Sequence, residues 1–492
     1  MARTATQGTY TGFDRMPIAG EWRTGTAGRS RQNTDPYTGD VLTETELAGT
    51  EDLDEAYHAA RETQQEWSRR PAEDRAEVMR RAARILADRE AELTGWLQRE
   101  AGATRPRAAM ELTLTRAVTE RAAEQADRIN TWVSADSDMK DKENRVYRTA
   151  AGVVAVISPW NFPVHLSNRS VAPALALGNA VVLKPAGDTP VTGGLFLAKV
   201  YEEAGLPPGL LSVVVGSGSD IGDAMVEHAT PRVVSFTGST PVGRGIAAKT
   251  GIKKLALELG GNGPLVVLDD ADLEQAVAGA LYGNYFHQGQ VCMATNRVIV
   301  HSAVYDAFVE RFVAGARALR HGDPRDAGTQ LGPVINAKQL DSIREKVAGA
   351  VEDGAELVLT GEPTGPTGQV LPPQVLLGGN DVTTAREEVF GPVATVIRAD
   401  DEEDALRLAN DTEYGLSSGV YTRDTDRGLR FALRMQAGMT HVNDTTVHDD
   451  AHIAFGGEKA SGLGRFGGDW IVDEFTTHHW VSLQHAPREF RY

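Results

Sequence analysis

The chain has 492 residues, 41% of them hydrophobic and 24% charged, a composition typical of a folded globular protein. At ~100–200 residues per domain, this length predicts two or three domains. The formal net charge of −18 predicts an acidic surface, which argues against nucleic acid or an anionic membrane as a partner.

The apolar runs and the cysteine content of the chain bear on its cellular location. The N-terminal MARTATQGTY lacks the apolar core of a secretory signal, and no run reaches the ~18 apolar residues of a membrane span. Cys292 is the only cysteine, so the chain cannot form an internal disulfide. We therefore expect a cytoplasmic protein. Neither a CxxC pair nor an HExxH motif is present, so we expect no metal site.

The N-terminal part of the chain combines a polar start with a long helical stretch. Short strand-like pieces are expected before residue 50. Residues 52–128 are rich in Ala, Glu, Arg and Leu, which predicts helices, with Pro71 at the first position of the second one. The many charges in this stretch are most simply the solvated face of those helices.

From residue 152, apolar β-branched runs alternate with segments of helical length. The runs are Val153–Ile157, Val181–Leu183, Val213–Val215, Val233–Phe236 and Leu265–Leu268. Such alternation predicts βαβ units and a parallel sheet that is covered on both faces.

A second series follows Cys292 and predicts a second α/β domain. Its strands are Val298–Val300, Val393–Ile397 and Gly419–Tyr421, and its helices lie near 304–319 and 402–410. The Pro- and Gly-rich segment 361–373 predicts a surface connection. A last strand is expected around Trp480–Leu483, where it could pair outside its own domain.

Glycine-containing turns after the strands are candidate phosphate sites, because ligands of open parallel sheets bind beyond the carboxyl ends of the strands. Gly216, Gly218 and Gly222 form GxGxxxG, which misses the dinucleotide fingerprint GxGxxG by one position and is a weak signal. Gly238 and Ser239 follow a strand and precede a helix. They form either a pyrophosphate site or a plain N-cap turn.

Polar residues at other strand ends each have a chemical and a structural interpretation. Lys184 is either a solvated strand end or a donor to a ligand. Asn161 is either a donor to an oxyanion or an Asx turn before Pro163. Glu258 lies between two leucines, and an apolar setting that favours proton uptake suits a general base. The alternative for Glu258 is an ion-paired strand end.

Cys292, taken alone, is more often a buried inert thiol than a nucleophile. Gly289 shortly before it permits close approach of a ligand to the backbone. The acidic pair Glu387–Glu388, taken alone, is a surface feature.

Seven segments together change this balance. In chain order they are PWNFP, VVLKP, FTGST, LELGGN, GQVCMATNR, EEVFGPV and FGGEKASGLGR. Together they closely resemble motifs of the NAD(P)-dependent aldehyde dehydrogenase superfamily. The resemblance runs from about Pro36 to the C-terminus. It implies an α/β aldehyde dehydrogenase-like fold, with two doubly wound parallel-sheet domains and a small β oligomerisation subdomain. The implied cofactor is NAD, with NADP as an alternative.

The resemblance also implies a division of the chain and an assembly. Residues 1–127 and 150–258 would form the Rossmann-like NAD(P)-binding domain, and residues 259–465 the catalytic domain. Residues 128–149 and 466–492 would form the oligomerisation subdomain, which adds strands to a partner subunit in a homodimer or homotetramer. Such pairing also removes open strand edges.

The resemblance implies a role for each matching residue. Cys292 would be the nucleophile, Glu258 the base that activates water, and Asn161 the oxyanion donor together with the backbone N–H of Cys292. Cofactor contacts are implied at Ser158, Pro159, Trp160, Lys184, Gly187, Gly216, Gly238, Ser239, Glu388 and Phe390.

Three positions depart from the pattern of many relatives. Gly187 stands where NAD-preferring relatives have a glutamate that contacts the ribose 2′-OH. Phe466 follows Arg465 where many relatives have a glutamate of a proton path, which puts that path in doubt. Arg169 stands where many relatives have an aromatic residue of the substrate tunnel.

One branch of the superfamily resembles this chain most, that of the benzaldehyde, vanillin and salicylaldehyde dehydrogenases. The resemblance lies in the segment 441–468, in GQVCM and in Arg169. It implies an aromatic aldehyde as substrate. The implied substrate contacts are Phe162, Leu166, Arg169, Met293, Asp449, His452 and Phe455. His448 and His452 are at least as readily explained as ordinary loop residues.

Three other functions remain to be weighed. An aliphatic or semialdehyde dehydrogenase would keep the same chemistry with another substrate. A cysteine hydrolase is disfavoured because no histidine lies in a motif that would activate Cys292. A non-catalytic structural relative is disfavoured because Cys292, Glu258 and Asn161 are all retained.

Overall fold

The computed structural model describes residues 8–490. Its strands are β1 (Met16–Ile18), β2 (Glu21–Arg23), β3 (Ser30–Thr34), β4 (Val41–Glu46), β5 (Thr131–Ala135), β6 (Lys142–Ala150), β7 (Val153–Ile157), β8 (Ala180–Lys184), β9 (Leu211–Val213), β10 (Val233–Thr237), β11 (Lys254–Glu258), β12 (Pro264–Val267), β13 (Arg297–His301), β14 (Glu356–Leu359), β15 (Gln374–Leu377), β16 (Val393–Ala399), β17 (Ser417–Tyr421), β18 (Met439–Val442), β19 (Gly462–Leu463) and β20 (Thr476–Gln484).

The helices alternate with these strands along most of the chain. They are α1 (Thr50–Trp67), α2 (Ala72–Asp88), α3 (Glu90–Glu100), α4 (Arg105–Gln125), α5 (Pro163–Ala176), α6 (Phe196–Glu203), α7 (Asp223–Glu227), α8 (Thr240–Lys249), α9 (Leu273–Tyr285), α10 (Tyr305–Arg317), α11 (Ala337–Glu352), α12 (Thr383–Arg386), α13 (Glu402–Asn410), α14 (Thr425–Ala432) and α15 (Trp470–Glu474).

A first sheet has the strand order β19-β11-β10-β7-β8-β9, and all of its pairs are parallel except β19 with β11. Strands β7 and β8 are almost entirely apolar and buried, because helices cover both faces of the sheet. One large core joins these strands to the N-terminal helices and to α5. The sequence therefore predicted the parallel sheet and its central strands correctly.

A second sheet has the order β14-β15-β16-β13-β12-β17-β18 and is parallel except for β14 with β15. Alternate residues of its central strands belong to two separate cores: Val266 and Ile299 to one, Val298 and Val300 to the other. Successive side chains of a strand point to opposite faces, so the two cores lie on opposite faces of this sheet. The predicted second α/β series is confirmed.

The remaining strands form small antiparallel units. Strands β1 with β2 and β3 with β4 pair as hairpins, and β20, β6 and β5 form a three-stranded sheet. The predicted C-terminal strand is therefore present and pairs along its whole length with β6. The connection 361–373 joins β14 to β15 within one sheet. Residues 362 and 364–366 of it are exposed, as predicted for a surface connection.

Two details of the expectation are wrong. Pro71 is the N-cap of α2, not its first residue. Strand β9 ends at Val213, because the ladder with β8 stops there, although the buried apolar run continues to Val215. Residues 462–463 pair with β11 and cover the edge of the first sheet.

The described part of the chain contains no helix that combines the length and the apolar character needed to cross a membrane. Among residues 8–490, no group of three or more His, Cys, Asp or Glu side chains is arranged to hold a metal ion.

Candidate active site

A cavity of about 250 Å³ lies where the carboxyl ends of the first sheet meet the second α/β unit. Segments from both units line it: 159–161 after β7, 237–239 after β10, 258–260 after β11, Cys292, and 388–390. Parallel strands end at the same edge, which brings these segments together although they are far apart in the chain.

Cys292 lies in a tight turn on the wall of this cavity and is partly exposed. The chain approaches it through His287 and Gln288, which have φ angles of 51° and 56°, and through Gly289 at 68°. Two successive non-glycine residues in the left-handed region are costly, which is typical of functional sites. A Cβ on Gly261 would lie 2.1 Å from the carbonyl oxygen of Cys292, so glycine is needed there.

The Cys292 thiol is an accessible group whose proton is held tightly. Burial, followed by the negative charge of Glu258, raises the pKa of Cys292 well above its usual range, while Arg169 opposes the shift. The thiolate is the nucleophilic form of cysteine. The thiol must therefore lose its proton before it can attack a substrate. The inert-thiol alternative is not supported by this position on the cavity wall.

Glu258 ends β11 and is completely buried at the cavity. Its Oε2 accepts a hydrogen bond from Nη2 of Arg169 at 2.9 Å, whereas Oε1 has no hydrogen-bond partner among residues 8–490. The expected apolar setting is therefore wrong, and the ion-paired alternative describes the structure. The sequence could not show this, because Arg169 comes from helix α5. The free oxygen remains available to a water molecule.

Asn161 is buried beside Cys292 on the cavity wall. One N–H of its carboxamide donates to the carbonyl oxygen of Gln290 at 2.9 Å, which orients the group. A carboxamide has two N–H donors, so the second can serve an oxyanion. The side chain does not form the Asx turn that was the alternative interpretation.

Lys184 is buried, with 8% of its surface exposed, so the solvated-strand-end interpretation is wrong. Burial, and secondarily the charge of Arg31, lowers the pKa of Lys184 to about 8. Its ammonium makes no hydrogen bond or ion pair with the residues that the structure describes. A buried ammonium without a protein partner fits a position next to a polar ligand.

The turn at Gly238 and Ser239 has the features of a phosphate-binding helix start. Ser239 occupies the N-cap position of α8, but its side chain makes no capping hydrogen bond and lines the cavity. The plain N-cap interpretation therefore does not account for the hydroxyl. The first N–H groups of a helix have no partner within it and favour an anion, although Pro241 in the first turn of α8 has no N–H.

Glu388 and Phe390 line the opposite wall of the cavity. Burial raises the pKa of Glu388 to about 7, although the backbone N–H of Gly261 donates to it at 2.9 Å and opposes the shift. The surface-pair interpretation is wrong for Glu388. The ring of Phe390 stands edge-to-face with Trp160, with centroids 5.3 Å apart, and Pro159 lies beside them.

Four predicted cofactor residues lie outside this cavity lining: Ser158, Lys184, Gly187 and Gly216. The Ser158 hydroxyl accepts a hydrogen bond from Ser167 Oγ at 2.6 Å. A Cβ on Gly216 would lie 2.4 Å from Ile221, which shows close packing rather than an open turn. A Cβ on Gly187 would lie 2.5 Å from the guanidinium of Arg31, so an arginine occupies the space beside that glycine.

A nicotinamide dinucleotide fits this set of residues. The set combines an unsatisfied buried ammonium, free N–H groups at a helix N-terminus and a buried carboxylate, the partners that ribose hydroxyls and a pyrophosphate need. Gly238, Ser239 and Glu388 line the cavity, and Lys184 ends the neighbouring strand β8 of the same sheet.

Of the predicted substrate contacts, only Leu166 lines the cavity. Phe162 is buried against His287, and Met293 is buried behind Cys292. His452 is exposed and does not line the cavity, in keeping with the loop-residue interpretation. The remaining three expected contacts form a buried cluster instead: Arg169, Asp449 and Phe455.

Arg169 is the clearest correction among them. Only 2% of its surface is exposed, and it is directed to Glu258 rather than along a tunnel wall. Asp449 is paired with His165 at 2.9 Å, a residue that sequence reasoning did not select.

Sequence reasoning also missed residues that hold the site. Arg107 and Glu111 on α4 form an ion pair with no exposed side-chain surface, and Arg107 donates to the carbonyl oxygen of Asn161. Lys346 on α11 donates to the carbonyl oxygen of Glu388 at 2.5 Å. The assumption that the charges of 52–128 are all solvated is therefore wrong. The only sequence signal for this buried ion pair is the spacing of four residues between Arg107 and Glu111. Exposed ion pairs on helices have the same spacing.

The fold and the cavity define a dinucleotide-dependent enzyme with a cysteine nucleophile, and comparison with known proteins gives its family. Residues 22–481 match the aldehyde dehydrogenase family. The chain belongs to this family.

Individual relatives are similar over nearly their whole length. The chain is 48% identical to a vanillin dehydrogenase of Corynebacterium glutamicum, with 97% of this chain and 99% of the relative covered. It is 44% identical to a benzaldehyde dehydrogenase of Bacillus subtilis, with 98% and 99% covered. The crystal structure of an NAD-dependent benzaldehyde dehydrogenase from Corynebacterium glutamicum superposes with a TM-score of 0.89 at 45% identity, covering 96% of this chain and 97% of that one.

Proposed function

We propose that this aldehyde dehydrogenase oxidises aromatic aldehydes to carboxylic acids with NAD, through a thioester on Cys292. The observation that carries the chemistry is the meeting of Cys292, Glu258 and Asn161 on one cavity wall. The vanillin and benzaldehyde dehydrogenases among its relatives support the substrate class, and the NAD-dependent structural neighbour supports the cofactor.

In the first half of the reaction, the thiolate of Cys292 adds to the aldehyde carbon. The carbonyl oxygen becomes an oxyanion, which the free N–H of Asn161 and the backbone N–H of Cys292 stabilise. Removal of one such donor costs ~2.7–4 kcal/mol. When bound, the nicotinamide supplies the acceptor for the hydride that leaves this carbon, and Cys292 then carries a thioester.

In the second half, Glu258 takes a proton from a water molecule, and the water oxygen bonds to the thioester carbon. The carbon–sulfur bond then breaks, the carboxylic acid is released and Cys292 regains its thiolate. Glu258 gives its proton to solvent, which restores the enzyme. A thioester is reactive enough for this hydrolysis, which is the reason for cysteine at this position. The unpartnered Oε1 of Glu258 is the atom that we assign to this proton transfer.

The cofactor would be held by Lys184 at the adenosine ribose, by Gly238 and Ser239 at the pyrophosphate, and by Glu388 at the nicotinamide ribose. Phe390, Trp160 and Pro159 would pack at the inner end of the cavity. Ser158, Gly187 and Gly216 are proposed as outer contacts, since they lie outside the cavity lining.

We further propose that the three-stranded sheet of β20, β6 and β5 belongs to an oligomerisation subdomain, formed by 128–149 and 466–492. Residues 1–127 and 150–258 are proposed as the cofactor-binding domain, and 259–465 as the catalytic domain. Exposed Trp132, Val133 and Trp480 on the three-stranded sheet support a homodimer or homotetramer. A nucleophilic thiol needs a reducing compartment, which supports a cytoplasmic location.

Absorbance at 340 nm tests this function with benzaldehyde, vanillin, hexanal and succinic semialdehyde, each with NAD and with NADP. We expect the two ring aldehydes to give the highest kcat/KM with NAD, and Cys292→Ala to abolish the reaction. A higher kcat/KM with hexanal or succinic semialdehyde would contradict the substrate class. Reduction that persists in Cys292→Ala would contradict the mechanism.

A further inference from the structure

Arg169 is a buried cation whose main partner is the proposed general base. It lies on α5, and its Nη2 donates to Glu258 Oε2 at 2.9 Å and to Thr237 Oγ1 at 3.4 Å. Both side chains of the pair are buried, at 2% and 0% exposure. The pair is therefore poorly screened by solvent, and its charges strongly influence each other.

Two aromatic rings hold the guanidinium of Arg169 in place. Its Cζ lies 4.6 Å from the ring centroid of Phe455 and 4.5 Å from that of Phe466. Phe455 and Phe466 are themselves joined by two backbone hydrogen bonds, of 2.8 and 2.7 Å. A guanidinium between two rings gains cation–π attraction and cannot easily turn away from the carboxylate.

A second carboxylate balances the other side of the guanidinium. Asp449 Oδ2 lies 4.0 Å from Arg169 Nη1 and 2.9 Å from Nε2 of His165. Burial acts to raise the pKa of Asp449, but the hydrogen bond with His165 and the charge of Arg169 outweigh it and lower that pKa. The cluster is thus a connected row from His165 through Asp449 and Arg169 to Glu258.

We propose that Arg169 is a positioning residue for the hydrolytic step: it pairs with Glu258 and fixes one carboxylate oxygen, so that Oε1 alone is directed to the water. This inference rests on the proposed function of Glu258. The ion pair uses Oε2, and only the other oxygen lacks a partner among residues 8–490. Arg169 thereby selects which oxygen is free for proton transfer.

The charges around Glu258 decide how its protonation responds to loss of Arg169. The groups that face it are Arg169, Cys292 and Glu388, and Lys346 lies beyond Glu388. Arg169 is the only cation among the three that face it. A buried carboxylate that loses its cationic partner takes up a proton more readily. The pH below which hydrolysis slows would therefore move upward.

The experiment compares Arg169→Gln, which removes the charge, with Arg169→Lys, which retains it. Pre-steady-state and steady-state NADH formation are measured with benzaldehyde and NAD from about pH 5.5 to 9. We expect Arg169→Gln to keep a first-turnover burst, although a slower one, because the charge of Arg169 also opposes the raised pKa of Cys292. Its kcat should fall by about tenfold or more, part of the ~10²–10⁴ that a general base contributes. The acid limb of its kcat profile should move up by about one pH unit or more, and Arg169→Lys should restore the wild-type limb.

Arg75→Met is the matched control, because Arg75 is equally buried but donates only to backbone carbonyl oxygens away from the cavity. We expect it to lower the Tm and to leave the pH profile unchanged. A wild-type profile in Arg169→Gln, or loss of its burst together with its turnover, would overturn the proposal. If Arg169→Gln does not fold, a displaced acid limb in Arg169→Lys would overturn it. A wild-type enzyme that forms no NADH with any aldehyde would instead contradict the proposed function, and this proposal with it.

Discussion

The reactivity of Cys292 depends on charges that other parts of the chain bring to it. Burial and the Glu258 carboxylate raise the pKa of its thiol, and Arg169 opposes them. Because the pKa lies above the physiological range, the thiol is protonated in the free enzyme near neutral pH. The thiolate fraction should then rise about tenfold for each pH unit below that pKa.

We predict that alkylation of Cys292 by iodoacetamide accelerates steadily from about pH 6 to 9 in the enzyme without cofactor. Glu258→Gln removes the nearby negative charge, so it should alkylate faster than wild type at any pH in this range, while its aldehyde turnover falls. Mass spectrometry gives the alkylation rate, and Cys292→Ala is the control because it has no other cysteine to label. A rate that does not change with pH would contradict this description of the thiol.

We infer that Arg31 and Asp188, which lie beside Gly187, influence the choice between NAD and NADP. Arg31 fills the space next to the glycine, and Asp188 Oδ1 accepts from its Nη2 at 2.9 Å. We predict that Asp188→Asn improves NADP binding relative to NAD, because it frees a cation for the 2′-phosphate. An exposed ion pair is worth ~0.2–1 kcal/mol, so the Kd ratio should change by about 1.4-fold to fivefold.

Quenching of protein fluorescence by each dinucleotide measures these dissociation constants without turnover. Arg31→Ala is the matched control, and it should shift the ratio in the opposite direction. An unchanged ratio in both variants would show that the 2′ position of the ribose lies elsewhere.

At the residue scale, sequence reasoning found the reacting groups and missed what surrounds them. Cys292, Glu258 and Asn161 were selected and all reach one cavity. Arg169 was assigned to the tunnel, although its partner is Glu258, 89 positions along the chain. Two departures from the family pattern, Arg169 and Phe466, are in contact. Only tertiary packing could show that they belong together.

At the scale of elements, helix α4 fixes the start of α5 and therefore the cavity wall. Glu111 Oε1 accepts from the backbone N–H groups of Val164 and His165 at 2.9 and 3.1 Å. Its partner Arg107 donates to the carbonyl oxygen of Asn161. These contacts satisfy N–H groups at a helix N-terminus, which no side chain of α5 itself caps.

We predict that Glu111→Ala lowers the free energy of unfolding by about 3–5 kcal/mol, because it leaves Arg107 charged and buried without its partner. Urea denaturation followed by circular dichroism measures the change. Thr113→Ala on the exposed face of the same helix is the control and should stay within ~0.5 kcal/mol of wild type. A small effect of Glu111→Ala would mean that water reaches this pair.

The sequence predicted the boundaries of central strands well, but not those of the edge strand β9 or the burial of α4. Strands β7, β10 and β13 match the apolar runs because parallel strands with both faces covered are apolar throughout. The charged residues of α4 predict an exposed helix. Arg107 and Glu111 are four residues apart, and exposed ion pairs on helices have the same spacing. Burial of this helix against α5 is not encoded in its own periodicity.

At the scale of the whole molecule, the three-stranded sheet leaves two open edges. Strand β5 exposes Val133 at 65%, and β20 exposes Trp480 at 64%. Open edges with apolar side chains are templates for pairing with another chain. We predict that the wild-type enzyme has a mass at least twice the 52.8 kDa of one chain.

Val133→Lys combined with Trp480→Lys should shift this enzyme to a single-chain mass in light scattering, because edge lysines block strand pairing. Ile252→Lys, a change at an exposed apolar residue in another part of the surface, should keep the assembly. A wild-type enzyme with the mass of one chain would contradict the oligomerisation proposal.

The most direct test of the central claim is the mass of the covalent intermediate. Glu258→Gln is mixed with benzaldehyde and NAD, quenched in acid and analysed as intact protein and as peptides. The account predicts that most of the enzyme gains one benzoyl group in place of one hydrogen, and that the peptide containing Cys292 carries it. A protein that forms NADH without this adduct, or that carries the adduct elsewhere, would contradict the account.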